Sequence, residues 1–186
     1  ANPPLPTLTG QNPGLAADPH GFGLILSSGQ NLVSLPLSPT GDPIGTHQTV
    51  LAGGAPFNPK LTKTSSGYAS LETEALGILH RFDGAFAELE GKAVVGWPDS
   101  PFDLAASGPG VGTVYLVNGV PTFRQLDGNN LETAPVRVDA PSASTIYQHV
   151  GIAGAKASYA VVWSAFEGYL GYRAMDCSGR PSGDVG

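Results

Sequence analysis

A fourfold repetition of short β-strands and turns restricts the fold of this 186-residue sequence more than any other feature. The residues that open the four units are Leu15, Leu61, Leu104 and Ile152. Their spacings are 46, 43 and 48 residues. Within the units, apolar and β-branched segments are separated by turn residues; the third unit has Thr113–Val117, Asn118-Gly119 and Pro121–Leu126, a strong hairpin pattern.

The length of this period indicates the architecture. A repeat of roughly 40–50 residues with four short strands per unit is typical of the blades of a β-propeller. A single blade leaves two apolar faces uncovered, and packing against neighbouring blades buries them. We therefore predict an all-β, propeller-like array of four antiparallel blades that forms a single domain over residues 1–186, with blades opening near 15, 61, 104 and 152.

The two ends of the sequence bear on how such an array closes. The fourth unit stops where its outermost strand should begin, and residues 1–14 contain a spare extended segment, Leu5–Thr9. We expect this N-terminal strand to pair into the last blade and close the ring, because pairing removes the open sheet edges. Three arrangements stay open: a closed ring of four blades, two chains that share a larger ring, and a piece of a longer protein.

One segment favours a different secondary structure when it is considered alone. Ala69–Arg81 places apolar residues at helical spacing and is rich in good helix formers. However, its flanking turn glycines, Gly67 and Gly84, are in register with turn glycines of the other units. Because tertiary context overrides local propensity, we predict two strands here.

Composition excludes several classes of partner. Charged residues make up 13% of the chain, against an average of roughly 25%, and the net charge is −6. The chain therefore offers no basic surface for nucleic acid, and no apolar run approaches the ~20 residues of a membrane-spanning helix. The single cysteine, Cys177, excludes a disulfide within the chain.

The fourth unit resembles a known class of repeat. Its motifs are Val161-Val162-Trp163, Gly171-Tyr172-Arg173, and a turn with Asp176, Gly179 and Pro181. Residues 158–183 are similar in this respect to blade repeats of secreted or cell-surface bacterial β-propeller proteins. The resemblance implies a propeller fold and a secreted or surface location, and it carries no set of catalytic residues.

Motifs of catalysis and metal binding are absent from the sequence. It contains no His-Glu-x-x-His pair, no Gly-x-Ser-x-Gly elbow and no P-loop, and its histidines are single and scattered over the units. We therefore predict no catalytic residues, no metal, no cofactor and no enzymatic activity. Asp83, Asp127 and Asp176 precede turn glycines, and we interpret them as turn residues that accept backbone N–H groups.

The connections between units carry the candidate ligand-binding residues. Aromatic side chains occur there beside Asp, Asn and His, a mixture that suits a sugar or a protein partner. The candidates are Phe57, Asn58, Trp97, Phe102, Asp103, Tyr147 and His149. For Phe57 and Phe102, the repeated Pro-Phe-Asn/Asp sequence favours a structural role between blades over ligand binding.

These features lead to a prediction of function. We predict a non-catalytic recognition or scaffold module that binds a protein or glycan through its inter-blade loops, because rigid loops lose little entropy on binding. A homodimer or a partner chain could complete a larger ring. The alternatives are a glycan-binding lectin and a hydrolase that acts at the central opening with Asp18, Asp99 or Asp103.

Overall fold

The computed structural model shows four antiparallel β-sheets that follow one another along the chain. It describes residues 11–52, 57–73, 77–89, 93–96, 99–108, 110–126, 134–139, 145–183 and 186. These residues contain β-strands and turns without a helix. Consequently no helix in this part of the chain has the length and apolar character to cross a membrane.

Each sheet is a meander in which consecutive strands are neighbours. Sheet 1 consists of β1 (Gln11–Asp18), β2 (Gly21–Ser28), β3 (Asn31–Leu37) and β4 (Gln48–Leu51). Sheet 2 consists of β5 (Phe57–Thr64), β6 (Gly67–Thr73), β7 (Gly77–Phe82) and β8 (Ala93–Gly96). Sheet 3 consists of β9 (Asp99–Ser107), β10 (Gly110–Val117), β11 (Val120–Leu126) and β12 (Val136–Arg137). Sheet 4 has β13 (Tyr147–Gly154), β14 (Ser158–Ala165) and β15 (Leu170–Asp176).

The turn after the third strand of a sheet repeats the same hydrogen bonds. In sheet 2, Asp83 Oδ1 accepts the backbone N–H groups two and four residues further on, at 2.8 and 2.9 Å. In sheet 4, Asp176 Oδ1 accepts the corresponding groups, also at 2.8 and 2.9 Å, and in sheet 1 Ser38 Oγ takes this position. The predicted turn role of Asp83 and Asp176 is thus confirmed, whereas Asp127 lies outside the described residues.

The first strands of neighbouring sheets pack side by side and run in the same direction. Side chains join their backbones: Thr62 Oγ1 accepts the N–H of Ala106 at 3.1 Å, and Asp103 Oδ2 accepts the N–H of Ile152 at 3.1 Å. The strands β1, β5, β9 and β13 therefore form an inner layer, with all four starts at one end of the array.

Apolar cores fill the three interfaces between successive sheets. Sheets 1 and 2 bury a cluster that includes Ile25, Leu61, Tyr68, Phe82 and Phe86. Sheets 2 and 3 bury Ala69, Leu71, Leu79, Phe102, Leu104, Val111, Tyr115 and Leu126. Sheets 3 and 4 bury a cluster around Val114, Phe123, Tyr159, Val161, Trp163 and Met175. Each core forms because alternate residues of a strand point to the same face.

This arrangement confirms the predicted all-β propeller fold class. The segment Ala69–Arg81 forms strands β6 and β7 where it is described, because pairing and burial override its helical spacing. Among the described strands, the sheets do not close into a ring, because β13 does not pack on β1 as it packs on β9. The predicted closing strand Leu5–Thr9 lies outside the described residues, and the single-domain assignment stays a prediction.

Candidate functional site

A cleft of about 320 Å³ opens between sheets 1 and 2, at the end of the array where the inner strands finish. Asp18, at the end of β1, and Lys63, near the end of β5, contribute its charged groups. The remaining lining residues come from the turns and strand ends around them and are His20, Gly21, Phe22, Pro36, Leu37, Ile44, Tyr68 and Gly84. A mainly apolar cleft of this volume with a few fixed polar groups is typical of small-ligand sites.

The carboxylate of Asp18 is held by three donors. Its Oδ2 accepts a hydrogen bond from Lys63 Nζ at 2.8 Å and one from the Tyr68 hydroxyl at 3.2 Å. Its Oδ1 accepts the backbone N–H of His20 at 2.9 Å. The hydrogen bond from Lys63 is the main reason that the pKa of Asp18 falls from 3.8 to about 2. Asp18 is therefore an anion at neutral pH and cannot act there as a proton donor.

Aromatic rings fix the other side of the cleft. Tyr68 stacks on Phe86 with ring centroids 4.3 Å apart and planes within 9°. Lys63 Nζ lies 4.4 Å from the centroid of the Tyr68 ring, in cation–π contact. Burial, followed by the nearby charge of Asp18, raises the pKa of Tyr68 to about 12, so its hydroxyl stays protonated. The site thus presents a rigid ion pair beside an aromatic ring.

A second polar group lies buried in the same interface. His80, on β7, is 2% exposed, and its Nε2 and Nδ1 each lie 2.8 Å from a carboxylate oxygen, of Glu72 and Glu88 respectively. The second oxygen of Glu72, Oε2, is buried without a hydrogen bond among the described residues. The two carboxylates lie on opposite edges of the imidazole, and no described group of three acidic, His or Cys side chains could hold a metal ion. The group acts as a structural polar network between strands.

Most of the residues predicted from the sequence lie at the other end of the inner strands. Asn58 sits in a β-bulge at the start of β5 with a φ of 53°, a left-handed conformation that Asn tolerates. Of Phe57, the structure describes only the backbone, and Trp97 lies outside the described residues. Phe102 is 3% exposed in the core between sheets 2 and 3.

The remaining predicted residues lie on sheets 3 and 4. The Asp103 carboxylate binds the backbone of β13, as described above. Tyr147 is 6% exposed, and its hydroxyl donates to Asp139 Oδ2 at 2.7 Å; burial and this carboxylate raise the pKa of Tyr147. His149 is exposed on β13. The starts of the inner strands thus bring these residues to one end of the array, and their ligand binding stays a prediction.

The residues of the cleft, other than Asp18, were missed by the sequence analysis. Lys63 and Tyr68 flank the turn that follows β5, and neither belongs to a motif. One usable signal was the repeat itself, because it places the ends of β1 and β5 side by side. Aligning the first two units would therefore have brought the charged residues at both strand ends into one region.

Comparisons with known proteins identify the fold and no family. No family model and no curated protein sequence matches the chain. Among solved structures, the chain resembles the catalytic domain of the Coprinopsis cinerea GH62 α-L-arabinofuranosidase, with a TM-score of 0.53, 12% identity, and coverage of 88% of this chain and 63% of that one.

Two further structures show the same similarity. Apo AztD from Citrobacter koseri has a TM-score of 0.55 and 15% identity over 91% of this chain and 45% of that chain. TolB from Acinetobacter baumannii has a TM-score of 0.57 and 11% identity over 94% of this chain and 42% of that chain. The chain therefore spans less than two thirds of each neighbour. At these identities, the similarity establishes the β-propeller fold alone.

The comparison corrects one prediction. The sequence analysis expected no enzymatic activity, on the ground that catalytic motifs are absent. That expectation is wrong as drawn, because a catalytic glycosidase domain is among the structures with this fold. The absence of local sequence motifs does not exclude a catalytic site in such a fold. In a propeller, the residues of a site come from different blades that are far apart in sequence.

Proposed function

We propose that this chain is a recognition module of β-propeller fold that binds a glycan in the cleft between sheets 1 and 2. The observation that carries the proposal is the Asp18–Lys63 ion pair, which is fixed at the mouth of an apolar cleft of about 320 Å³. The side chains of the pair are 16% and 29% exposed, so a ligand can reach both.

The chemistry of the lining supports a sugar. A carboxylate accepts hydrogen bonds from hydroxyl groups, and an ammonium group donates to ring and hydroxyl oxygens. Ile44 and Pro36 offer apolar surface for the C–H face of a pyranose or furanose ring. Because Lys63 and Tyr68 already hold Asp18 in place, little side-chain entropy is lost when a ligand binds.

Asp18 does not by itself provide the pair of carboxyl groups that a glycosidase uses. Most glycosidases place two carboxyl groups on either side of the scissile bond, one of which must be protonated. Asp18 is the only carboxylate among the described residues that line the cleft, and its pKa of about 2 keeps it ionised. A secreted or cell-surface location and the sequence-predicted loop residues belong to the proposal as further expectations.

A glycan array followed by calorimetric titration of the hits tests the proposal. We expect Asp18→Asn and Lys63→Met each to weaken binding at least tenfold, because each removes a charge that bonds to the sugar hydroxyls. Asp176→Asn is the matched control, since it removes a hydrogen-bonded carboxylate from the turn of sheet 4. Binding by both cleft variants at wild-type affinity, or a blank array at millimolar glycan, would refute the proposal. Assaying reducing ends in the same samples reports any turnover.

A further inference from the structure

The turn after the third strand carries a phenylalanine in sheet 2 where two other sheets carry glycine. In sheets 1, 2 and 4, the N–H of the fourth turn residue donates to the carbonyl of the first, at 2.9, 3.1 and 3.0 Å respectively. This fourth residue is Gly41 in sheet 1, Phe86 in sheet 2 and Gly179 in sheet 4. All three have a left-handed backbone, with φ values of 86°, 64° and 79°. Phe86 therefore occupies a position that is glycine in the other two described turns.

This backbone conformation is unfavourable for a phenylalanine. Glycine adopts a positive φ without steric penalty, whereas a bulky residue does so only where the surrounding structure compensates for the strain. The turn itself does not require the ring, because the turns with Gly41 and Gly179 make the same backbone hydrogen bonds. The compensation must therefore come from contacts of the Phe86 side chain.

The Phe86 ring is buried in the core between sheets 1 and 2. It stacks on Tyr68, with ring centroids 4.3 Å apart and planes within 9°, and its centroid lies 6.1 Å from that of Phe82. Sheet 1 leaves room for the stacked pair at Gly23, where a Cβ atom would lie 2.6 Å from Cε1 of Tyr68 and 2.9 Å from Cζ of Phe86. The two rings and this glycine thus form one tightly packed unit.

Sheet 4 provides an internal comparison for this unit. Tyr159 is the second residue of β14, as Tyr68 is of β6, and it also packs on a glycine of the preceding sheet: a Cβ atom on Gly112 would lie 2.7 Å from Cε1 of Tyr159. The turn of sheet 4 carries Gly179, and the described ring contact of Tyr159 is with Phe123 of sheet 3, at a tilt of 54°. A buried tyrosine is thus compatible with a glycine turn, and the parallel stack on Tyr68 is what the phenylalanine of sheet 2 adds.

The stacked tyrosine contacts both members of the ion pair in the cleft. Its hydroxyl donates to Asp18 Oδ2 at 3.2 Å. Lys63 Nζ, which donates to the same oxygen at 2.8 Å, lies 4.4 Å from the centroid of the Tyr68 ring. A shift or rotation of this ring would therefore change both contacts at once. Because the Phe86 ring lies parallel to it in a close-packed core, such movement is restricted.

We propose that Phe86 is a positioning residue of the cleft, which holds the Tyr68 ring where its hydroxyl and Lys63 both contact the Asp18 carboxylate. The strained backbone at Phe86 then serves to preorganise the ion pair, in keeping with the tendency of backbone strain to occur at functional sites. Phe86 is not among the residues that line the cleft, so it acts through Tyr68. Its effect on glycan affinity rests on the proposed function, whereas its effect on the ion pair does not.

NMR of the free protein tests the positioning role without a ligand. Phe86→Leu keeps an apolar side chain but removes the flat ring, and Phe86→Gly introduces the residue of the other two turns. In both variants, the titration midpoint of the Asp18 carboxyl carbon, about 2 in the wild type, should rise by at least about 0.5 pH unit, because a loosened donor stabilises the carboxylate less. The two edges of the Tyr68 ring should give separate resonances in the wild type and averaged resonances in the variants, because the ring flips faster.

Leu79→Ala is the matched control, because Leu79 is buried in the same sheet but in the core toward sheet 3. It should lower the stability of the protein in urea and leave the Asp18 midpoint and the Tyr68 resonances unchanged. If neither Phe86 variant changes these two signals, the proposal is overturned and Phe86 only fills the core. Equal changes in Leu79→Ala would overturn it as well, since they would reflect a general loosening of the sheet.

Calorimetric titration of the same variants with a glycan from the array separates this proposal from the proposed function. We expect Phe86→Leu to raise the glycan Kd about tenfold, because the ion pair is no longer preorganised. A wild-type chain that binds no glycan would refute the proposed function, and the NMR signals would still decide the role of Phe86. Unchanged affinity in a variant whose Asp18 midpoint has risen would refute the cleft as the glycan site, while the positioning role would hold.

Discussion

Substitution of Gly112 by Ala tests whether the Tyr159 ring of sheet 4 packs directly against the backbone of Gly112 in sheet 3. A methyl group at Gly112 would lie 2.7 Å from Cε1 of Tyr159 and 2.9 Å from Cε2 of Phe123. Both rings are buried, and their centroids are 5.3 Å apart. Neither ring can move away without disturbing the core between the two sheets.

The expected loss of stability follows from this crowding. Overpacking a well-filled core costs about 1–3 kcal/mol, and contact with two rings at once places this position near the middle of that range, at about 2 kcal/mol. Replacing Gly by Ala also restricts the unfolded chain, which stabilises by about 0.4–1 kcal/mol. Gly84→Ala controls for that gain, since Gly84 has open space around it and, like Gly112, has no positive φ.

Urea unfolding of both variants, followed by tryptophan fluorescence, measures the difference. We expect the free energy of unfolding of Gly112→Ala to lie about 1–3 kcal/mol below that of Gly84→Ala, with an unchanged m-value. In a Tyr159→Ala background, the same substitution should cost at least 1 kcal/mol less, because the ring that it meets is gone. Equal stability of the two glycine variants would show that the sheets are not in the contact described, and the reasoning would fail.

Three further predictions concern charged and polar groups. Stability due to the ionised Asp18, whose pKa falls from 3.8 to about 2, is present above pH 4 and should be lost as pH falls to 2; an NMR titration of the carboxyl carbon measures its midpoint, and a midpoint near 3.8 would contradict the ion pair. His80→Leu should lower the free energy of unfolding by about 3 kcal/mol in urea, with Glu72→Leu partly rescuing it. Tyr147→Phe should lose about 1 kcal/mol by the same assay, because its bond to Asp139 disappears; no loss would argue against that bond.

Much of the fold could be predicted because its signals are local and repeated. The hairpin at Asn118-Gly119 forms with φ values of 51° and 74°, as the Asn-Gly pair predicts. The turns at Asp83 and Asp176 mark where a third strand ends, and signals that repeat from unit to unit outweigh one ambiguous segment. Ala69–Arg81 illustrates this point. The helical spacing of its apolar residues was weaker evidence for its secondary structure than the alignment of its flanking glycines with those of the other units.

The site was much harder to predict, for a reason that lies in the same architecture. Asp18 and Lys63 are 45 residues apart, and only the packing of β1 beside β5 brings them within 2.8 Å. His80 lies eight residues from each of its two partners, Glu72 and Glu88. These contacts form because the chain turns back on itself before and after β7, and the sequence separation alone does not predict them. A single sequence shows how regularly the strands are spaced, but it does not show which side chains contact each other across neighbouring sheets.

The side-by-side inner strands make this molecule expandable in whole units. Each sheet obtains its hydrogen bonds from its own four or fewer strands, and neighbouring sheets meet mainly through apolar faces and a few side-chain contacts. A gene segment encoding one complete unit could therefore be duplicated or deleted without severing any strand pairing elsewhere. The curvature of the stack, and with it the size of any opening at its centre, would change in steps of one sheet.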